Sequence, residues 1–220
     1  MEQIEDHEII SENPTADDET VLEIKPQSIT ARKNIYSRPA LKRRFKLYTH
    51  ESHLIFRHTI KKISKLMYSL YVVYGHRLKD PKPVLENQAN IEKHFTEIEN
   101  RIRKETEARQ KLLTQNKTDP GKPVYSNSLL LEVSLTTPQM GRFIDLLMMT
   151  DELIMTIDSC WLHGLIDSEV RSRENYAWQH IVLQLFTLII VTCDEITSLI
   201  GDEQTAAATE KIENIPEVRN

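Results

Sequence analysis

The chain has 220 residues, only five of them glycine and two cysteine, and a net charge of −5. That length fits one domain with tails. So few glycines argue against glycine-rich phosphate loops and many-stranded β folds. Two cysteines without a CxxC pair argue against a zinc knuckle or a disulfide framework and fit a reduced, cytoplasmic compartment.

The net charge conceals an asymmetry. Residues 1–30 carry nine acids and one base, residues 31–79 carry thirteen bases and one acid, and residues 123–200 carry ten acids and three bases. A basic block of this kind points to an anionic partner, nucleic acid or a membrane surface. The other reading is that the basic segment folds against the acidic one.

In chain order, residues 1–30 read as an acidic disordered tail with no apolar core, and so not as a signal peptide. Residues 31–40 form a basic arm with Arg32, Lys33 and Arg38. Residues 41–48, LKRRFKLY, alternate: Lys42, Arg44 and Lys46 fall on one side, and Leu41, Phe45 and Leu47 on the other, with Arg43 breaking the pattern. Successive strand side chains point to opposite faces, so this predicts a half-buried basic strand. Thr49 is the expected N-cap of a helix whose stripe Phe56, Ile60, Ile63, Met67, Leu70 and Tyr74 keeps helical spacing. Lys61, Lys62 and Lys65 lie off that stripe. The stripe suits either a core or a dimer seam.

Gly75 is the expected stop, and a second helix is predicted over 84–114. The stretch QNKTDPGKP at 115–123 reads as a loop. Alternation of Leu129, Leu131, Val133 and Leu135 against Glu132 and Ser134 predicts a second strand. Thr137 and Pro138 open a third helix that runs to Trp161 and stops at Gly164. Asp167 or Ser168 caps a last helix, expected to end before Gly201 and to leave 201–220 as a disordered tail. Its apolar run 181–191 reads as buried and too short to span a bilayer. No internal repeat is evident. The expected fold is α+β and mainly α, with two strands and four long helices in a single domain over 31–200.

Catalytic chemistry finds little support. His50, His53 and His58 do not share one helical face, and they lack the partners a metal site needs. Asp145, Asp151, Glu152 and Asp158 share one helix and read as a solvated face or as salt-bridge partners of the basic segment. Trp161 and Trp178 read as packing residues. No P-loop, GxGxxG or GxSxG is present. The expectation is a protein that is not an enzyme and that takes no metal, cofactor or small-molecule ligand.

The basic strand carries the functional reading. A two-stranded antiparallel ribbon fits the DNA major groove. One strand makes no ribbon, so 41–48 must pair with its copy in a second subunit, as a homodimer on a two-fold site, or with 129–135. The helix N-terminus at Thr49–Ser52 offers free amides for a phosphate.

The segments GRFIDLLMMTDELIMTIDSCWLHGLI (141–166), RSRENYAWQ (171–179) and RRFKLYTHESHLIFRHTIKKISKLMYSLY (43–71) resemble AcaB-like transcriptional regulators of conjugative plasmids and integrative conjugative elements. The resemblance covers roughly residues 41–190. It implies a dimeric DNA-binding architecture of ribbon-helix-helix type, activation of conjugative-transfer genes, and a DNA-facing role for Lys42, Arg44 and Lys46. The chain departs from that pattern in its long extra helices. The resulting expectation is a sequence-specific regulator on promoter or operator DNA in a bacterial cytoplasm. Lys42, Arg43, Arg44 and Lys46 are the candidate groove contacts, Arg32, Lys33 and Arg38 form an arm on phosphates or in the minor groove, and Lys61 and Lys62 add backbone contacts. The alternative is a helical interaction component of the conjugation machinery that docks through the 56–74 stripe. Peripheral binding to anionic lipid ranks third.

Overall fold

Alternation in LKRRFKL gives a strand because its apolar parity can be buried while its basic parity stays wet. The computed structural model describes residues 22–23, 39–116 and 123–213, with 22–23 and 206–213 as backbone. The acidic tail other than 22–23 and the arm residues 31–38 lie outside the described residues. The elements are β1 (Leu22–Glu23), β2 (Leu41–Leu47), α1 (His50–Tyr68), α2 (Lys82–Gln115), β3 (Leu129–Leu135), α3 (Pro138–Leu162) and α4 (Ser168–Glu213). The architecture is mainly α, with a small sheet on a helical body.

Of the two partners open to the basic strand, the structure has the one in the same chain. β2 and β3 run antiparallel over their full length, from Leu41 opposite Leu135 to Leu47 opposite Leu129, with Arg44 opposite Glu132 at the midpoint. β1 lies parallel along the other edge of β3, with Leu22 opposite Leu131. This two-residue strand falls within the segment expected to have no structure.

The two strands enter their helices in the same way. Each strand is followed by two residues, the second a threonine N-cap, and then by a helix. Thr49 Oγ1 accepts the Ser52 amide at 3.3 Å, and Thr137 Oγ1 accepts the Met140 amide at 3.2 Å. The antiparallel register therefore places a local two-fold axis between Arg44 and Glu132. In chain order the two strands open two strand–helix–helix units, β2–α1–α2 and β3–α3–α4. No repeat is evident in the sequence because the two strands share little beyond their inward apolar parity.

The helices bury the inward face of the sheet. The stripe Phe56, Ile60, Ile63, Met67 and Leu70 is core, with Tyr74 partly buried against it, so this face is packed within the chain and is not open as a dimer seam or docking surface. Fourteen of the 25 residues of α3 are buried, which makes it the central helix. Past Tyr68, α1 widens into a π turn over Ser69–Val73, and the Gln88 side-chain amide donates to the Leu70 carbonyl at 2.8 Å. Arg142 of α3 clamps α2 through Glu92, Glu99 (2.7 Å) and the Thr96 hydroxyl (2.9 Å).

α4 differs from expectation in length, continuing past Gly201 to Glu213. One glycine costs only about 1 kcal/mol in a helix, and the alanines at 206–208 favour continuation. By length and composition, Ser168–Thr205 is long and apolar enough to cross a bilayer. Its row Val182, Leu185, Phe186, Ile189, Cys193 and Ile196 is nonetheless buried in the common core.

Candidate nucleic-acid interface

The outward face of the ribbon carries Lys42, Arg44 and Lys46 from β2 and, by register, Leu130, Glu132 and Ser134 from β3. The inward face holds Phe45 and Leu47, with the Phe45 ring edge-on to Phe56 at 5.9 Å. Leu41 departs from its expected role: at the start of the strand it is 68% exposed.

Two of the three outward bases converge on one acid. Lys42 Nζ donates to Glu132 Oε1 at 2.8 Å, and Arg44 Nε donates to Glu132 Oε2 at 2.6 Å. The Lys42 and Arg44 side chains remain 67% and 74% exposed, whereas that of Glu132 is 11% exposed beneath them. The hydrogen bond from Lys42, and then that from Arg44, hold the Glu132 carboxyl below the usual carboxylate range; the Glu132 hydrogen bond raises Arg44. Lys46 Nζ lies 5.7 Å from the centre of the Tyr48 ring.

Arg43 is the residue that breaks the alternation. Its parity turns it away from the outward face, and its guanidinium pairs with Asp145 and donates to the Gly141 carbonyl at 3.4 Å, tying β2 to α3. Lys61 and Lys62 are exposed on α1, about 16–18 Å along its axis from the strand end, at 1.5 Å per residue. They are not brought onto the ribbon face. Arg32, Lys33 and Arg38 lie outside the described residues.

The phosphate site expected at the start of α1 is already filled. Asp151 Oδ2 accepts the Tyr48 amide at 3.0 Å, and its Oδ1 accepts the Thr49 amide at 2.9 Å and the Thr49 hydroxyl at 2.7 Å. Thr49 and Ser52 are fully buried. A carboxylate at this position repels an incoming anion. His53, also buried, contacts the Leu47 carbonyl through Nε2 at 3.0 Å, so it supports the end of the strand and is no ligand. Asp158, seven residues beyond Asp151, is likewise buried: it accepts from Tyr125 at 2.7 Å and from Arg171 at 2.6 Å. Neither acid is on a solvated face. Of the four helix acids, Asp145 does meet the basic segment, through Arg43.

Beside the Lys46 end of the ribbon opens a groove of about 1050 Å³, floored by Met148, Met149 and Met155 and rimmed by Asp145 and Glu152. Its rim has the opposite charge to the ribbon face. Among the described residues no group of His, Cys, Asp and Glu is disposed to hold a metal ion.

Neither a family model nor a curated protein matches the chain. A solved structure does: that of selenomethionine-containing AcaB from uropathogenic E. coli, with a TM-score of 0.71. The chain has the fold of AcaB. The match covers 83% of this chain and 93% of the AcaB chain, at 22% sequence identity. The likeness to AcaB extends over nearly the whole of that protein, helices included, so the long helices that stood out as extra in the sequence belong to the shared fold.

Proposed function

We propose that this chain is a sequence-specific DNA-binding transcriptional regulator, not an enzyme, and that it presents the outward face of the β2–β3 ribbon to the major groove. The observation that carries this reading is the row Lys42, Arg44 and Lys46 on the solvent face of an antiparallel ribbon whose other face is anchored in the core. Within the three-stranded sheet the β2–β3 pair has the width of the groove, with the two-residue β1 at its far edge, and arginine and lysine suit guanine edges and phosphates. On this reading the β2–β3 pair and its helices act as a ribbon-helix-helix unit built from one chain in place of two. Activation of conjugative-transfer genes, in the bacterial cytoplasm, follows from the family resemblance and is supported by the AcaB fold.

A homodimer remains part of the proposal in altered form. Each chain brings a complete ribbon, so two chains read two half-sites and do not share one ribbon. β2 is a poor edge for pairing with its own copy, since Lys42, Arg43, Arg44 and Lys46 would face like charges.

The test is selection of double-stranded DNA from a randomised library by the full chain, followed by affinity measurements on the selected site. Replacing Lys42, Arg44 and Lys46 together with Ala removes three DNA-facing side chains, each worth about 1–3 kcal/mol, and is expected to lower affinity by more than about 100-fold with the circular dichroism unchanged. Binding through six phosphates is expected to give a log–log salt slope of about −5. A triple variant that binds like the wild type, or an affinity indifferent to salt, would falsify the ribbon reading.

A further inference from the structure

The acid in the middle of the ribbon is the least expected group on a DNA-facing surface. Glu132 sits opposite Arg44 at the local two-fold axis, on the outward parity of β3. Its two oxygens each accept one hydrogen bond, from Lys42 and from Arg44. Each carboxylate oxygen has a second lone pair, so acceptor capacity remains. The two cations above it are mostly exposed and have room to turn outward, which uncovers the carboxylate beneath.

A carboxylate in the major groove is selective by exclusion. Phosphate oxygens, guanine N7 and O6, adenine N7 and thymine O4 are all acceptors and all repel it. The only donors on the groove floor are the exocyclic amines, cytosine N4 and adenine N6. The neighbouring outward residue Leu130 suits a thymine methyl, and Ser134 is neutral. The backbone of the ribbon is thus nearly two-fold symmetric, whereas its chemistry is not: the β2 half favours guanine edges and phosphates, and the β3 half favours amines and a methyl group.

Resting on the DNA-binding reading above, we propose that Glu132 is the specificity-determining residue of the ribbon, accepting a hydrogen bond from an exocyclic base amine at the centre of the site, and that each chain therefore reads an asymmetric DNA sequence in one fixed orientation. On DNA lacking an amine there, Glu132 keeps Lys42 and Arg44 paired and the face holds phosphates poorly. On the right base the carboxylate gains a new donor while the two cations turn to the DNA.

Library selection with the full-length wild type, Glu132→Ala and Glu132→Gln tests this. The wild type is expected to return a site without internal two-fold symmetry that fixes cytosine or adenine at one central position. Glu132→Ala, which has no acceptor, flattens the preference at that position, and the ratio of selected-site to random-DNA affinity falls about 10-fold, the scale of one base-specific hydrogen bond; Glu132→Gln, whose amide pairs with adenine N6 and N7, moves a cytosine preference to adenine or keeps an adenine one. Glu152→Gln, the same charge change at the groove rim, is the control and keeps both. Glu132→Ser carries the same comparison should the alanine variant lose the wild-type circular dichroism. A palindromic half-site, an unchanged preference in Glu132→Ala or in the serine variant that replaces it, or an equal loss in Glu152→Gln overturns the inference alone. Failure of the wild type to enrich any sequence overturns the DNA-binding reading and this inference with it.

Discussion

Asp151 carries more of the structure than any surface ion pair. It is 3% exposed, it lies 102 positions from the Thr49 it caps, and it accepts two backbone amides and a hydroxyl at the point where the ribbon turns into α1. Asp151→Ala leaves those donors buried and unpartnered, so we expect a loss of about 3 kcal/mol in urea unfolding, whereas Asp151→Asn, which keeps one acceptor, loses less. An unchanged unfolding midpoint in Asp151→Ala would refute this role. The cysteines are a second residue-scale case. Burial pushes the Cys193 thiol from 9.0 up to about 12, and it raises Cys160 in the same direction. Both are thus thiols at neutral pH, and we expect neither to react with a disulfide reagent until the protein unfolds. The raised value also sets a pH limit. The Cys193 contribution is intact below its ordinary pKa and is lost as pH rises through the folded value, because the unfolded chain releases the proton first. Cys193→Ala is expected to flatten the alkaline limb of the stability profile; a limb of unchanged slope counts against it.

Among the elements, those set by local rules were legible in the sequence. The alternation of β2 and β3, the caps at Thr49 and Thr137, and the stop at Gly164 all lie within a few residues of their cause. At Gly164 the chain takes φ 69°, and the Leu165 amide returns to the Cys160 carbonyl at 2.9 Å, a left-handed helix end that favours glycine. No heavy atom lies within 4 Å of an added Cβ there, so Gly164→Ala is expected to cost about 1 kcal/mol from backbone strain alone, read as a shift in thermal midpoint. A loss several times larger would mean that side-chain packing, not conformation, fixes this turn. What the sequence did not disclose depends on distant partners. Glu132 is visibly outward-facing, but only the register puts it under Arg44. Arg43 breaks the alternation in a way that makes sense only once Asp145 is beside it. The filled N-terminus of α1 depends on an acid that pattern alone assigns to a solvated face or to a salt bridge with the basic segment. β1 is too short to leave any periodic signal.

At the scale of the molecule, the ribbon and the four helices form one body in which each strand is followed by its own pair of helices. The candidate site was legible in part: the basic parity of β2 and the outward parity of Glu132 were visible, but the pairing of Glu132 with Lys42 and Arg44 and that of Arg43 with Asp145 were not, because these are cross-strand and strand-to-helix interactions. If one chain reads one half-site, titration of the selected DNA half-site is expected to saturate at one chain per duplex, by light scattering of the complex. Two chains on a single half-site would indicate a ribbon shared between subunits. The covalent joining of the two strands bears on dosage. A ribbon assembled from two separate chains disappears on dilution, and at low abundance its occupancy of DNA falls as the square of the chain concentration. In this chain the two strands are joined covalently, so if the ribbon binds DNA as proposed, occupancy of one half-site falls only in proportion to the chain concentration. On that reading a handful of chains would still carry a handful of complete ribbons.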